Sequence, residues 1–367
     1  MHSVLLLVIV IVAATAFDFT NGFHDTANVV ASSISTRALA PRTAIALASV
    51  LNFVGAFLSL KVAATIATGI LDAGKVTETI AFAGLIGAIL WNLVTWAYGL
   101  PSSSSHALIG GMFGSMLAAV GGSGVKALGL LDKVVIPAVI SPIVAFAAAG
   151  LGIVVIYRAF GRRSPGQVTR WFRAGQIVSN SALAIAHGTN DAQKTMGVIT
   201  LALIAHGSLS AKHVHVPIWV VILSASAISL GTYAGGWRII RTVGSRIIKM
   251  DSAQAFSAQA SGAAVILVSS HLGYPLSTTH VISGGVMGAG AAKRLSAVRW
   301  GVAGSIAVAW VITLPIAGLF GAAVYAIASA FGSGALGPLL ITIFGIGVPL
   351  SALVTRRRRL TERAASA

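Results

Sequence analysis

Residues 99–111 read GLPSSSSHALIGG, and residues 273–285 read GYPLSTTHVISGG. Laid over each other, they align Pro101 with Pro275 and His106 with His280. Each sets a proline, a row of hydroxyls and a histidine between apolar runs, in a chain that is 56% hydrophobic. A second pair recurs in the same order. NGFHDTANVVASSI (21–34) matches HGTNDAQKTMGVIT (187–200), with Gly22 over Gly188 and Asp25 over Asp191. Chance similarity between apolar segments does not keep polar residues in register across two motifs, so the chain reads as a duplication.

The composition around these motifs is that of a membrane protein. Mean hydropathy is +0.90 and 9% of residues are charged, against about 25% in ordinary soluble chains. Apolar runs of spanning length, about 17–25 residues, recur from end to end. A soluble helical protein would need a charged exterior that is not there. The net charge of +17 gathers in 158–173, 237–249, 293–299 and 356–363. Such clusters also suit nucleic acid, but each abuts an apolar span, the position of cytoplasmic loops in membrane proteins. The partners are therefore a lipid bilayer and no nucleic acid. In 237–249, Arg238, Arg241 and Lys249 share one face and Ile240, Val243 and Ile247 another, the pattern of an interfacial helix. With no cysteine, disulfides and thiolate metal sites are excluded. Residues 4–16 resemble a signal peptide, but the preceding MHS has no positive n-region, and the run is read as the start of the first span.

Placing the basic clusters inside leaves 61–78, 121–133 and 206–216 outside, and corresponding segments of the two halves then cross in opposite directions. The fold class expected is an all-α polytopic membrane protein, an inverted-topology repeat with broken first helices and two re-entrant helical hairpins. Apolar runs in lipid are helices or closed barrels, and the ten-residue alternation of barrel strands is missing. Residues 3–36 and 174–205 look too long and too polar to be plain helices, which predicts a break in each; the Pro-Ser/Thr-His stretches are read as hairpin tips. The organisation is a first transmembrane repeat over 1–157, a basic cytoplasmic linker over 158–173, a second, inverted repeat over 174–325, a C-terminal transmembrane helix over 326–355 and a basic cytoplasmic tail over 356–367. The protein is expected in the cell membrane as a multi-pass chain with its C-terminus cytoplasmic.

The polar stretches carry the chemistry. Ser103, Ser104 and Ser105, and Ser277, Thr278 and Thr279, lead into apolar segments, where hydroxyls join unpaired N–H groups and the positive helix end. Such ends cap their own helices or bind an oxyanion such as phosphate or sulfate; finding two copies favours binding. Asp25 and Asp191 are aligned carboxylates within spans, where a charge is costly, so a cation or proton accompanies each. Asn28 and Asn190 stand beside them. Asp18 has no acidic counterpart in the second half. Lys194 takes the place of Asn28; its ammonium fills a metal's space, contacts the anion, or reaches along the helix to water. His24, His106, His187 and His280 are proton-relay candidates, whereas His206, His213 and His215 read as solvated loop residues. No metal site built from protein alone is expected, and no cofactor.

With these residues in hand, NGFHDTANVV and HGTNDAQKTMG resemble the paired Gly-x-x-Asp signatures of the inorganic phosphate transporter (PiT) family, and the two Pro-Ser/Thr-His stretches resemble its hairpin motifs. The similarity runs from about residue 15 to residue 315, and WNLVTWAYGLPSSSSH and NDAQK resemble the bacterial low-affinity, proton-coupled branch most closely. The resemblance implies phosphate contacts from Ser103–Ser105 and Ser277–Thr279, and coupling at Asp25 and Asp191 with Asn28 and Asn190 nearby. Asn52 stands where a Glu is usual in the sodium-coupled branch, and Lys194 replaces a small polar residue; both favour a co-transported proton over sodium. The function expected is proton-coupled symport of inorganic phosphate, with a neutral metal–phosphate complex as a variant of the cargo. Sodium coupling and sulfate are the alternatives within the family, and a membrane-embedded Ser/His/Asp hydrolase or a channel lies outside it. A homo-oligomer is compatible with the sequence.

Overall fold

Hydrocarbon supplies no hydrogen-bond partners, so a chain crossing it must close its backbone bonds internally. The computed structural model describes residues 4–211, 214–332 and 334–345, and these are helical apart from turns and one isolated bridge, Leu71–Val125. In chain order come α1 (Val4–Ser35), α2 (Pro41–Gly55), α3 (Lys61–Thr68), α4 (Glu78–Tyr98), α5 (Ser104–Val120) and α6 (Ala127–Leu130). Then follow α7 (Ile136–Phe160), α8 (Pro165–Ala205), α9 (Ile218–Ala234), α10 (Trp237–Arg241), α11 (Ser252–Leu272), α12 (Thr278–Ala291) and α13 (Trp300–Ser329). Six described segments are long and apolar enough to span a membrane, or seven if the bent pair Ile218–Ala234 and Trp237–Arg246 is one span. Apolar side chains face outward, among them Val139, Ile143 and Leu151 on α7 and Val308, Val311 and Leu319 on α13. Asp25, Asn28, Asn190, Asp191 and Lys194 are buried. Ile240, Val243 and Ile247 are buried while Arg238, Arg241 and Lys249 are exposed, the two faces read from the sequence.

The first span of each half is not broken. α1 runs for 32 residues and α8 for 41 without interruption. Neither holds an internal proline, and several of their polar side chains, among them His24, Asn28 and Asn190, find partners on neighbouring elements without unwinding. Threonines on both bond back to their own helix, Thr26 Oγ1 to the Gly22 carbonyl at 2.6 Å and Thr189 Oγ1 to that of Ile185 at 2.8 Å. The motif glycines serve close packing: a Cβ on Gly22 would strike the Ile228 carbonyl of α9, and one on Gly188 the Asn52 carbonyl of α2. The contact is returned three residues on, where Gly231 abuts the Phe19 carbonyl and Gly55 that of Ile185.

The same exchange organises α5 and α12, the helices that follow the Pro-Ser/Thr-His stretches. Gly110 and Gly114 of α5 lie against Leu314 and Gly318 of α13, and Gly284 and Gly288 of α12 against Pro142 and Phe146 of α7. Each half thus packs several of its helices on partners from the other, while α4 packs on α5 and α8 on α11 within a half. The equivalent helices α1 and α8 run antiparallel: Thr36 bonds Gln176 at 2.7 Å, Ser33 bonds Asn180 at 2.9 Å, and Asp25 approaches Asp191. Each tip is cut the same way. Gly99 and Gly273 end the preceding helix in the left-handed conformation, and the Leu100 and Tyr274 amides then bond back to Thr95 and Ser269.

Residues 161–164 alone separate α7 from α8, so most of the basic stretch 158–173 is helical. Within 326–355, the described part holds the end of α13 and a short apolar helix, Leu336–Gly345. The rest, with the tail 356–367, lies outside the described residues, as does His213.

Overpacking a tight contact costs about 1–3 kcal/mol. Gly22→Ala and Gly188→Ala should each lower the thermal stability of the detergent-solubilised protein by that order. Gly304→Ala, with open space around it, should be neutral or stabilising by up to about 1 kcal/mol.

Candidate functional site

Ser103 caps α5 and Ser277 caps α12: their hydroxyls accept from the amides of His106 at 3.1 Å and His280 at 3.3 Å. Capping uses a lone pair and leaves the hydroxyl proton free to donate. Ser104, Ser105, Thr278 and Thr279 occupy the first helical turns, whose N–H groups have no partner within the helix. All six residues are buried. The two tips touch, with Ser105 Oγ donating to the Leu276 carbonyl at 3.1 Å.

The aspartates sit against these tips. The Thr278 hydroxyl lies 3.4 Å from Asp25 Oδ2 and 3.4 Å from Asp191 Oδ2. Asn28 donates to Thr279 at 2.9 Å. Asn190 donates to Asp191 Oδ1 and to the Leu276 carbonyl, both at 2.8 Å. Lys194 is fully buried and does not reach water. Its ammonium pairs with Asp191 one turn earlier and donates to Ser105 Oγ at 2.5 Å and the Leu276 carbonyl at 2.9 Å. One cation therefore ties α8 to both tips.

The four motif histidines fall into two pairs. His24 Nδ1 is 2.6 Å from Asp25 Oδ1, and its Nε2 is 3.1 Å from Thr95 Oγ1. His187 Nε2 is 3.1 Å from Asp191 Oδ2, while Nδ1 is 3.2 Å from Asn52 Oδ1. His106 and His280 lie behind the tips and meet edge to face at 4.7 Å, with His280 stacked on Trp310 at 4.1 Å. His24 and His187 join the carboxylates, and His106 and His280 do not. His206, read as solvated, instead lies 2.6 Å from Glu78.

Several contacts at the centre carry no sequence signal. The Leu276 carbonyl gathers three donors, and a backbone oxygen is invisible in residue identities. Thr95 and Ser102, bonded to each other at 2.8 Å, precede the motif serines and orient His24. Asn52 donates to Thr232 at 2.8 Å, which fixes its carbonyl toward His187. Asp25, His187 and Asp191 each offer a ligand atom within 4.8 Å of the others. The sequence predicts no metal site of protein alone, whereas these three supply two hard oxygens and an imidazole for a cation.

Two hydroxyl-capped helix ends converge on buried carboxylates and one ammonium inside a bundle of membrane-length helices, an arrangement that defines a polytopic membrane transporter. Residues 21–321 match the model of the PHO4 phosphate transporter family, and the chain belongs to that family. It is 54% identical over 320 residues to a Mycobacterium bovis protein named "Probable low-affinity inorganic phosphate transporter", covering 87% of this chain and 77% of that one. A Bacillus subtilis protein of the same name is 44% identical over 323 residues, covering 88% and 96%. A solved structure titled "The sodium-dependent phosphate transporter" superposes with a TM-score of 0.83 at 26% identity, covering 89% of this chain and 99% of that chain. The protein is thus a multi-pass membrane phosphate transporter and not an enzyme, which removes the hydrolase reading.

Removing one partner of a buried ion pair costs about 3–5 kcal/mol. Lys194→Met should destabilise the protein by that order in thermal denaturation. Lys194→Met combined with Asp191→Asn should recover part of the loss, because no unpaired charge is left.

Proposed function

We propose that this phosphate transporter is a proton-coupled symporter that imports inorganic phosphate, held between the two hydroxyl tips. The observation that carries the reading is the convergence of Ser103–Ser105 and Ser277–Thr279 on Asp25 and Asp191, tied together by Lys194. Tetrahedral oxyanions suit paired helix N-termini, because N–H groups and hydroxyls donate from two sides and the dipoles add. Phosphate beside two carboxylates needs intervening positive charge. The Lys194 ammonium supplies one such charge, and protons on Asp25 or Asp191 supply the rest. His24 and His187, each against one aspartate, are the relay groups. His106 and His280, behind the tips, support the capped helix ends.

The antiparallel course of α1 and α8, with the reciprocal glycine contacts, supports an inverted-topology repeat. Its tips are then re-entrant hairpins meeting near the midplane, and the basic ends and C-terminus are cytoplasmic. A neutral metal–phosphate complex would satisfy the same charge balance. Sodium coupling is the second reading, favoured by the clustering of Asp25, His187 and Asp191. Against it stands Lys194, whose ammonium holds Asp191 where a metal ion would bind. Asn52, a neutral amide bonded to Thr232 and next to His187, also adds no anionic ligand.

Purified protein in liposomes should accumulate labelled phosphate under an inward proton gradient, without sodium and in preference to sulfate. Uptake that follows a sodium gradient and ignores protons would favour the second reading. Asp25→Asn should lower gradient-driven uptake by at least about tenfold. Ser105→Ala removes one donor and should weaken phosphate affinity by about tenfold.

A further inference from the structure

Asp18 lies two turns before Asp25 on α1, about 10 Å along the axis, and is fully buried. Its polar neighbours are Asn21, one turn on, and Thr195 across the interface on α8. None of the three is satisfied: both Asp18 oxygens, both Asn21 polar atoms and Thr195 Oγ1 are buried without a hydrogen-bond partner. On α4, Asn92 is buried in the same state, one turn before the Thr95 that binds His24.

Unsatisfied buried polar groups are costly, and a carboxylate among them more so. Asp18 has Asn21 and Thr195 beside it but no hydrogen bond of ordinary geometry to either, so the three together can take up an additional positive centre. The repeat supplies the control. Shifted to the other half in register with Asp25 and Asp191, Asn21 becomes His187, which contacts Asp191 and Asn52, but Asp18 becomes Ala184 and Thr195 becomes Val29, and these two belong to one apolar cluster. One half has apolar residues where the other has a single acid and a hydroxyl.

We propose that Asp18, Asn21 and Thr195 form an accessory site for one small monovalent cation, a proton or a sodium ion, separate from the central carboxylates. A carboxylate, an amide oxygen and a hydroxyl are hard donors, and one formal negative charge matches one positive charge. Asp191 and Lys194 are the charged groups facing it from α8. The Lys194 ammonium is already committed to Asp191, Ser105 and Leu276. Elsewhere around α1, Glu78 of α4 is tied to His206, while Arg42 of α2, Tyr233 of α9 and Arg238 and Arg241 of α10 are exposed.

The test is infrared difference spectroscopy on purified protein in detergent, without phosphate, comparing wild type with D18N and T195V. If the occupant is a proton, acidification of the wild type raises a carboxylic-acid C=O band that D18N lacks. If it is sodium, adding sodium shifts a carboxylate band, and D18N lacks the shift. In either case T195V keeps the response but needs about tenfold more cation for half-saturation. The site is overturned if D18N loses no response, or if the Asp18 band is unchanged across pH and sodium. Should D18N not fold, unchanged half-saturation in T195V overturns it equally. The readout needs neither phosphate nor transport, so failure here leaves the proposed coupling at Asp25 and Asp191 standing.

Discussion

Lys194 has no water to turn to, and a buried ammonium persists only when acceptors surround it. Its three acceptors come from three places: Asp191 on its own helix, Ser105 on the first tip and the Leu276 carbonyl on the second. The rest of the centre is arranged to deliver them. Gly273 turns the chain out of α11, the Tyr274 amide bonds back to Ser269, and the Leu276 amide bonds to the Tyr274 carbonyl. That sequence of bonds aims the Leu276 carbonyl inward, where Asn190 and Ser105 also reach it.

The two halves answer this demand differently. Asn28, the counterpart of Lys194, is a neutral amide that donates to Thr279 on the second tip. Charge-assisted bonds are roughly twice as strong as neutral ones. The ammonium of Lys194 therefore reaches both tips while Asn28 reaches only the second, an asymmetric set of restraints. The polar residues around Asp18 extend the same asymmetry along α1.

Much of this was legible in the residues themselves. The two motif pairs fixed which positions converge, because a duplicated polar pattern in an apolar chain has few explanations other than a shared centre. Polarity alone misled on α1 and α8. It marks groups that need partners without saying who provides them, and here Thr95, Thr279 and Leu276 provide them while the helices stay intact. The motif glycines were equally ambiguous from sequence, since a glycine in a helix serves a break or a close approach; Gly22 and Gly188 serve the approach. The Leu276 carbonyl and the Asn52–His187 contact depend on tertiary placement and have no local signature. The four histidines looked alike, and only packing separates His24 and His187, beside carboxylates, from His106 and His280 behind the tips.

The crossed packing has a consequence for how such a chain comes to be. α1 rests on α9, α2 on α8, α5 on α13 and α12 on α7, although α4 also packs on α5 and α8 on α11, so part of the surface each half must cover belongs to the other. A single copy of the repeat would leave its glycine grooves open to lipid and its tip without a facing tip. Joined by only the four residues after Phe160, the two sets of helices are delivered together, each bringing a surface that the other packs on.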